Sequence, residues 1–130
     1  MPFLFTDTGR RSFIIAVAML AAAAPALAHH GWSWTVEELS ELKGVIRDVY
    51  LGNPHATLDV DVKGEIWKVE LAPPRATERA GFTEASAKAG DAVTAIGNRS
   101  RDQAERRMKA VRIIVNGKTY DVYPDRAPTN

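Results

Sequence analysis

The sequence contains no cysteine, and only three of its 130 residues are histidine. The absence of cysteine excludes disulfide bonds within the chain and metal sites built on thiolates. Methionine is also scarce, with three residues in all, so no methionine cluster is available to bind Cu(I). The metal ligands considered for this chain are therefore imidazole, amine, amide and carboxylate groups.

The chain also has no large excess of positive or negative charge. The chain has 17 basic and 16 acidic side chains, a formal net charge of +1. Arg10, Arg11 and Asp7 lie in the first 28 residues, so the charges of the remaining chain balance. A neutral domain has no broad attraction for nucleic acid or anionic lipid. We therefore expect no nucleic-acid partner, and the expected partner is an unidentified small ligand or an envelope protein.

The first 28 residues have the pattern of a secretory signal peptide. Arg10 and Arg11 precede an apolar run over residues 13–24, and Pro25 is followed by the small-x-small sequence "ALA". The apolar run is shorter than the roughly 20 residues of a membrane span, so an uncleaved N-terminal anchor is the less favoured alternative. We predict cleavage after Ala28 and a periplasmic or secreted protein. "RRSFII" leaves both the Sec and the twin-arginine routes open.

Several segments after the signal peptide favour β-strands. "LKGVIRDVYL" (42–51) is rich in β-branched residues, and "TLDVDV" (57–62) and "EIWKVEL" (65–71) alternate apolar with polar residues around Lys63-Gly64. "DAVTAIG" (91–97), "MKAVRIIV" (108–115) and "KTYDVY" (118–123) predict further strands, the last two joined by an Asn-Gly turn. A short helix is expected over residues 75–80, after Pro73-Pro74 and before Gly81. Residues 124–130 are expected to form a loose tail.

Five or six strands with a helix after the third predict an all-β fold, a small OB-like antiparallel barrel with one short helix over residues 29–123. A β-sandwich is the alternative, although it usually needs more strands. Val60, Val69, Ile96 and Ile113 are the predicted core of this barrel.

The chain also resembles a family of small exported bacterial proteins known only as a domain of unknown function. The matching segments are "AHH", "LKGVI", "NPHATLDVDV", "WKVELAPP", "RAGF", "KAGDAVTAIG" and "GKTYDVY", which span nearly all of residues 28–123. The resemblance implies an OB-like β-barrel in the periplasm and implies no activity. Where the family has "AHHS" followed by an aromatic residue, this chain has "HHGWSW".

The histidines are the candidate metal ligands: His29, His30 and His55. Cleavage after Ala28 would make His29 the N-terminus, and an α-amine with a pKa near ~8 binds a metal readily at neutral pH. Its amine and imidazole can chelate one ion, and His30 offers a second geometry through its amide and ring nitrogens. His55, in the loop after the first strand, could complete a nitrogen set of the kind that favours Cu(II). A carboxylate ligand from Asp48, Asp59 or Asp61 has no support in the pattern.

Each of these residues also has a simpler interpretation. The histidine pair could be a solvated N-terminus, and His55 could cap a turn. Trp32 and Trp34 could stack a ligand ring, but burial is favoured for such large apolar side chains, and Trp67 is expected in the core. The arginine-rich segment "RSRDQAERR" (99–107) is expected to be a solvated loop.

Three functional hypotheses follow. The leading one is a periplasmic small β-barrel binding protein that holds a copper(II) ion through His29, His30 and His55. The alternative is a metal-free envelope adaptor or ligand-binding module. A copper oxidase acting on polysaccharide is the third, although the chain is small for it. An enzyme is the less favoured class, because no Ser/His/Asp arrangement, phosphate-binding glycine loop or carboxylate pair is recognisable.

Overall fold

The structure is a computed structural model that describes residues 31–129. The predicted all-β class with one short helix is confirmed. The strands and helices, in chain order, are β1 (Thr35–Tyr50), β2 (Thr57–Val62), β3 (Glu65–Glu70), α1 (Pro74–Arg79), β4 (Ala92–Ser100), β5 (Arg107–Val115), β6 (Lys118–Asp121) and a 3-10 turn (Pro124–Arg126).

Two tight turns form at the predicted positions. Lys63 and Gly64 connect β2 to β3 with φ values of 54° and 87°, and Asn116 and Gly117 connect β5 to β6 with φ values of 52° and 74°. Positive φ at both central residues matches the right-handed twist of the paired strands. Glycine and asparagine adopt this conformation at least cost, which is why these dipeptides mark hairpins.

The strands close into a ring. β1 is long enough to pair with β4 through its first part and with β2 through its last part, both antiparallel. The sheet order is β3-β2-β1-β4-β5-β6, and a short parallel pairing between β3 and β5 completes the ring. Gly97 permits the close approach of β5, since a Cβ there would lie 2.1 Å from the carbonyl oxygen of Lys109.

The interior of the ring is apolar, and the predicted core is largely confirmed. Val60, Val69 and Ile113 are fully buried. Ile96 is only half-buried, because the alternation of β4 turns Val93 and Ala95 inward. The prediction that Ile96 belongs to the core was therefore wrong, because Ile96 lies on the opposite face of β4 from Val93 and Ala95.

The start of β1 also differs from the prediction, at Thr35 instead of Leu42. Residues 35–41 contain three glutamates and have little intrinsic strand preference, and their pairing with β4 overrides it. The helix α1 carries one buried residue, Thr77, whose hydroxyl donates to the carbonyl of Ala72 at 2.8 Å. Within residues 31–129, no helix has the length and apolar character that crossing a bilayer would require.

Candidate functional site

His55 lies in the loop between β1 and β2, directly after a cis Asn53–Pro54 peptide bond. Its side chain is half-buried, and its Nδ1 atom lies 3.7 Å from Oε1 of Glu70. This distance is too long for a hydrogen bond, so the contact becomes an ion pair only when the imidazole is protonated. The Nδ1 side of the His55 ring, which is a candidate metal ligand, therefore faces the Glu70 carboxylate.

Glu70 is the centre of a buried polar cluster. It accepts a hydrogen bond from Nη2 of Arg107 at 2.9 Å and another from Nζ of Lys109 at 3.2 Å. The parallel register places Glu70 opposite Lys109, and Arg107 is two residues away on the same face of β5. We call His55, Glu70, Arg107 and Lys109 the Glu70 cluster.

Burial and charge both act on the acid–base behaviour of this cluster. Burial raises the pKa of Glu70, but the hydrogen bond from Arg107 and the charge of Lys109 outweigh it, so the pKa lies below its usual value. Burial lowers the pKa of Lys109, and the Glu70 carboxylate only partly offsets this. The nearby Tyr123 hydroxyl has its pKa raised to about 12 by burial and by the Glu70 charge. Glu70 is therefore a carboxylate at neutral pH.

The segment Gly31 to Trp34 lies across the two cations of the cluster. The guanidinium carbon of Arg107 lies 3.7 Å from the ring centroid of Trp34, and Nζ of Lys109 lies 4.8 Å from that of Trp32. Trp32 also makes an edge-to-face contact with Tyr123, at 4.9 Å between centroids. Both tryptophans remain half-buried, so the expectation of burial is only partly met. They cover charged side chains instead of the apolar core.

Gly31 itself lies against Lys109. A Cβ at Gly31 would be 3.0 Å from Nζ of Lys109. Gly31 directly follows His30 in the chain, and Lys109 contacts the carboxylate that faces His55. The backbone next to the histidine pair therefore reaches the cluster that contains His55. His29 and His30 lie outside the described residues.

The other candidate ligands are not gathered here. Within residues 31–129, no three His, Asp or Glu side chains are grouped closely enough to hold a metal ion. Asp59 pairs with Lys68, and Asp61 binds Arg47 at 2.6 Å. Each of these two carboxylates already has a cationic partner, and neither contacts the Glu70 cluster.

Sequence reasoning missed Glu70, Arg107 and Lys109. Arg107 and Lys109 alternate with Met108 in a strand whose intervening residues are apolar, and this two-residue spacing was the available signal. The arginine-rich segment is only partly a solvated loop. Arg99 is in β4 and lies over Trp67, 5.0 Å from its ring centroid. Trp67 is half-buried at the margin of the core and not fully inside it.

Comparison with known families gives one match. The model of a family of unknown function, DUF6152, matches residues 16–109, which is more than half of the chain. No match is found among curated proteins. The family match agrees with the resemblance seen in the sequence.

Proposed function

We propose that this chain, which belongs to the family DUF6152, is an exported binding protein that holds a copper(II) ion between its mature N-terminus and the His55 loop. The ligands in this proposal are the α-amine and imidazole of His29, assisted by His30, and the imidazole of His55. Three nitrogen donors in this arrangement suit the tetragonal preference of Cu(II).

One observation carries the proposal: the position of Gly31. The residue that follows the histidine pair contacts Lys109, which binds the same Glu70 oxygen that faces His55. The Glu70 oxygen lies 3.2 Å from Nζ of Lys109 and 3.7 Å from Nδ1 of His55, and a Cβ at Gly31 would lie 3.0 Å from the same Nζ atom. Since consecutive Cα atoms are about 3.8 Å apart, His30 and His29 have the reach to meet the His55 ring. Gly31, which directly follows the histidine pair, and His55 thus both lie at the Glu70 cluster.

The orientation of His55 supports a role as a ligand. Its Nδ1 atom faces Glu70, and Nε2 is on the opposite side of the ring. Metal-binding histidines commonly direct their second nitrogen at a carboxylate, which selects the tautomer and orients the ring. In this proposal Nε2 binds the copper ion, and Nδ1, now 3.7 Å from Oε1 of Glu70, closes to hydrogen-bond distance so that the carboxylate positions the ring.

The charges around Glu70 favour nitrogen ligands over a carboxylate. Both oxygens of Glu70 already accept hydrogen bonds from Arg107 and Lys109. Withdrawing that carboxylate to bind a metal would leave Lys109, only 1% exposed, without its partner. Glu70 is therefore assigned no direct contact with the ion.

The decisive experiment compares two forms of the protein by isothermal titration with Cu(II). One form begins at His29, and the other carries one additional N-terminal methionine. The extra residue converts the α-amine of His29 to an amide while leaving every side chain in place. We expect sub-micromolar binding by the first form and at least 10-fold weaker binding by the second. Equal affinities would overturn the assignment of the terminal amine.

The role of His55 is tested in the form that begins at His29. His55→Ala should weaken Cu(II) binding about 10-fold or more and remove one nitrogen from the electron paramagnetic resonance spectrum. Asp48→Ala is the matched control, because Asp48 is exposed and was a candidate carboxylate, and it should leave both readouts unchanged. A His55→Ala variant with unchanged affinity and spectrum would remove the loop from the proposal. Failure of the parent form to bind copper would favour a metal-free binding module.

A further inference from the structure

A cavity opens beside Trp32, and no residue of the Glu70 cluster lines it. Its volume is about 500 Å³, and it opens between the Gly31-to-Trp34 segment, the start of β1, the end of β4 and the 3-10 turn. The side chains that matter for its chemistry are Trp32, Glu37, Arg101 and Arg126.

Two guanidinium groups line this cavity, and neither is neutralised within residues 31–129. Nε of Arg101 donates to the backbone carbonyl of Thr35 at 2.9 Å, which anchors the side chain and leaves its terminal nitrogens for a ligand. Arg126 lies over Trp32, 4.0 Å from the ring centroid. In the described part of the chain, no carboxylate forms an ion pair with either arginine. This differs from Arg47, Arg106, Arg107 and Arg112, each of which pairs with an acidic side chain.

The charged side chains that line the cavity give it a net positive charge. Glu37 is the single acidic residue that lines it, against two arginines. The charge of Arg126 also acts on Lys109, where it contributes to lowering the pKa of that lysine, after burial as the main cause. A cationic ligand would be repelled here, and a neutral ligand would leave both guanidinium groups without an anionic partner.

We propose that this cavity binds a small anion through Arg101 and Arg126, with carboxylate or phosphate groups as the recognised chemistry. Guanidinium groups present paired N–H donors that match the oxygens of both groups. The two guanidinium groups are positioned by different contacts. Arg101 is held by a hydrogen bond to the backbone of β1, and Arg126 is held by the ring of Trp32. The site is independent of the copper proposal and uses none of its ligands.

The test is isothermal titration at low ionic strength with citrate and with inorganic phosphate, using the protein that begins at His29. We expect binding of at least one anion, weakened about 10-fold in Arg101→Gln and in Arg126→Gln, and weakened by added salt. Arg75→Gln is the matched control, because Arg75 is an exposed arginine in α1, away from this cavity. Melting curves identify any variant that has lost its fold.

A variant expected to gain affinity keeps the test independent of folding defects. Glu37→Gln removes the opposing charge and should tighten anion binding about threefold or more. A parallel arm uses vesicles containing phosphatidylglycerol: arginine-dependent binding to vesicles, without binding of citrate or phosphate, would identify a lipid headgroup as the source of the anion. No binding in either arm would overturn the proposal, as would equal affinities for the parent protein and all three cavity variants.

Discussion

The last two residues of strand β3, Val69 and Glu70, lie on opposite faces of the strand and are both buried, but in surroundings of opposite chemistry. Val69 points into the apolar interior, pairs in register with Met108 and is fully buried. The next residue, Glu70, points to the other face, pairs in register with Lys109 and is 9% exposed. One face excludes water with methyl groups, and the other with a network of charges covered by tryptophans.

This difference shows which kind of substitution each face can accept. An apolar core tolerates loss of volume at a moderate cost, because the transfer and cavity energies scale with the atoms removed. A buried ion pair depends on both partners, since removing one leaves an uncompensated charge away from water. The Glu70 face is therefore expected to be more sensitive to conservative changes than the Val69 face.

The largest effect is expected from Val69→Asp. A carboxylate on the apolar face would have no partner, and this cost of several kcal/mol is comparable with the roughly 5–15 kcal/mol that stabilises a typical domain. The variant should be unfolded by circular dichroism. Ile66→Asp is the control on the same strand, because Ile66 is 49% exposed, and it should keep a cooperative melt. A native melting curve for Val69→Asp would contradict the assignment of the strand faces.

Glu70→Gln should have the next largest effect. It leaves Lys109 buried without its anionic partner, and we expect a loss of about 3–5 kcal/mol in the free energy of unfolding, measured with urea. Glu65→Gln, which removes an exposed carboxylate from the same strand, should be nearly neutral. The double variant Glu70→Gln/Lys109→Met should regain much of the lost stability. If the double variant is no better than the single one, the charge pairing is not the cause.

The dependence of the free energy of unfolding on pH should further distinguish the charged face at Glu70 from the apolar face at Val69. The pKa of Glu70 in the folded protein lies below its ordinary value of 4.5, so the carboxylate stabilises the fold above that pH. This contribution is lost as the pH falls through the folded pKa. Urea unfolding of the parent and Glu70→Gln should therefore show a gap that is full at pH 7 and narrows in acid. A gap independent of pH would exclude the ionised carboxylate as its source.

The smallest effect is expected from Arg47→Gln. This arginine binds Asp61 at 2.6 Å, but its side chain is 62% exposed and water screens the pair. The urea midpoint should not move measurably. A shift as large as that of Glu70→Gln would mean that burial is not what distinguishes the two ion pairs.

Most of the fold was predictable, because the signals are local. The alternation in "TLDVDV" and the Asn116-Gly117 turn each depend on a few neighbouring residues. The first part of β1 was not predictable, since its polar residues become a strand only through pairing with β4. The burial of Glu70 was missed for a related reason. A glutamate at the end of an alternating strand has the pattern of an exposed residue, and only the closure of the ring covers it.

The candidate sites divide in the same way. The sequence by itself determined the absence of thiolate ligands, the small set of histidines and the strand periods, because these depend on composition and spacing alone. The tertiary structure decided that Gly31 reaches Lys109, that Glu70 faces His55, and that Arg101 and Arg126 line one cavity. These contacts join residues far apart in the chain, so composition and local spacing could not indicate them; they form only when the strands pair into the ring.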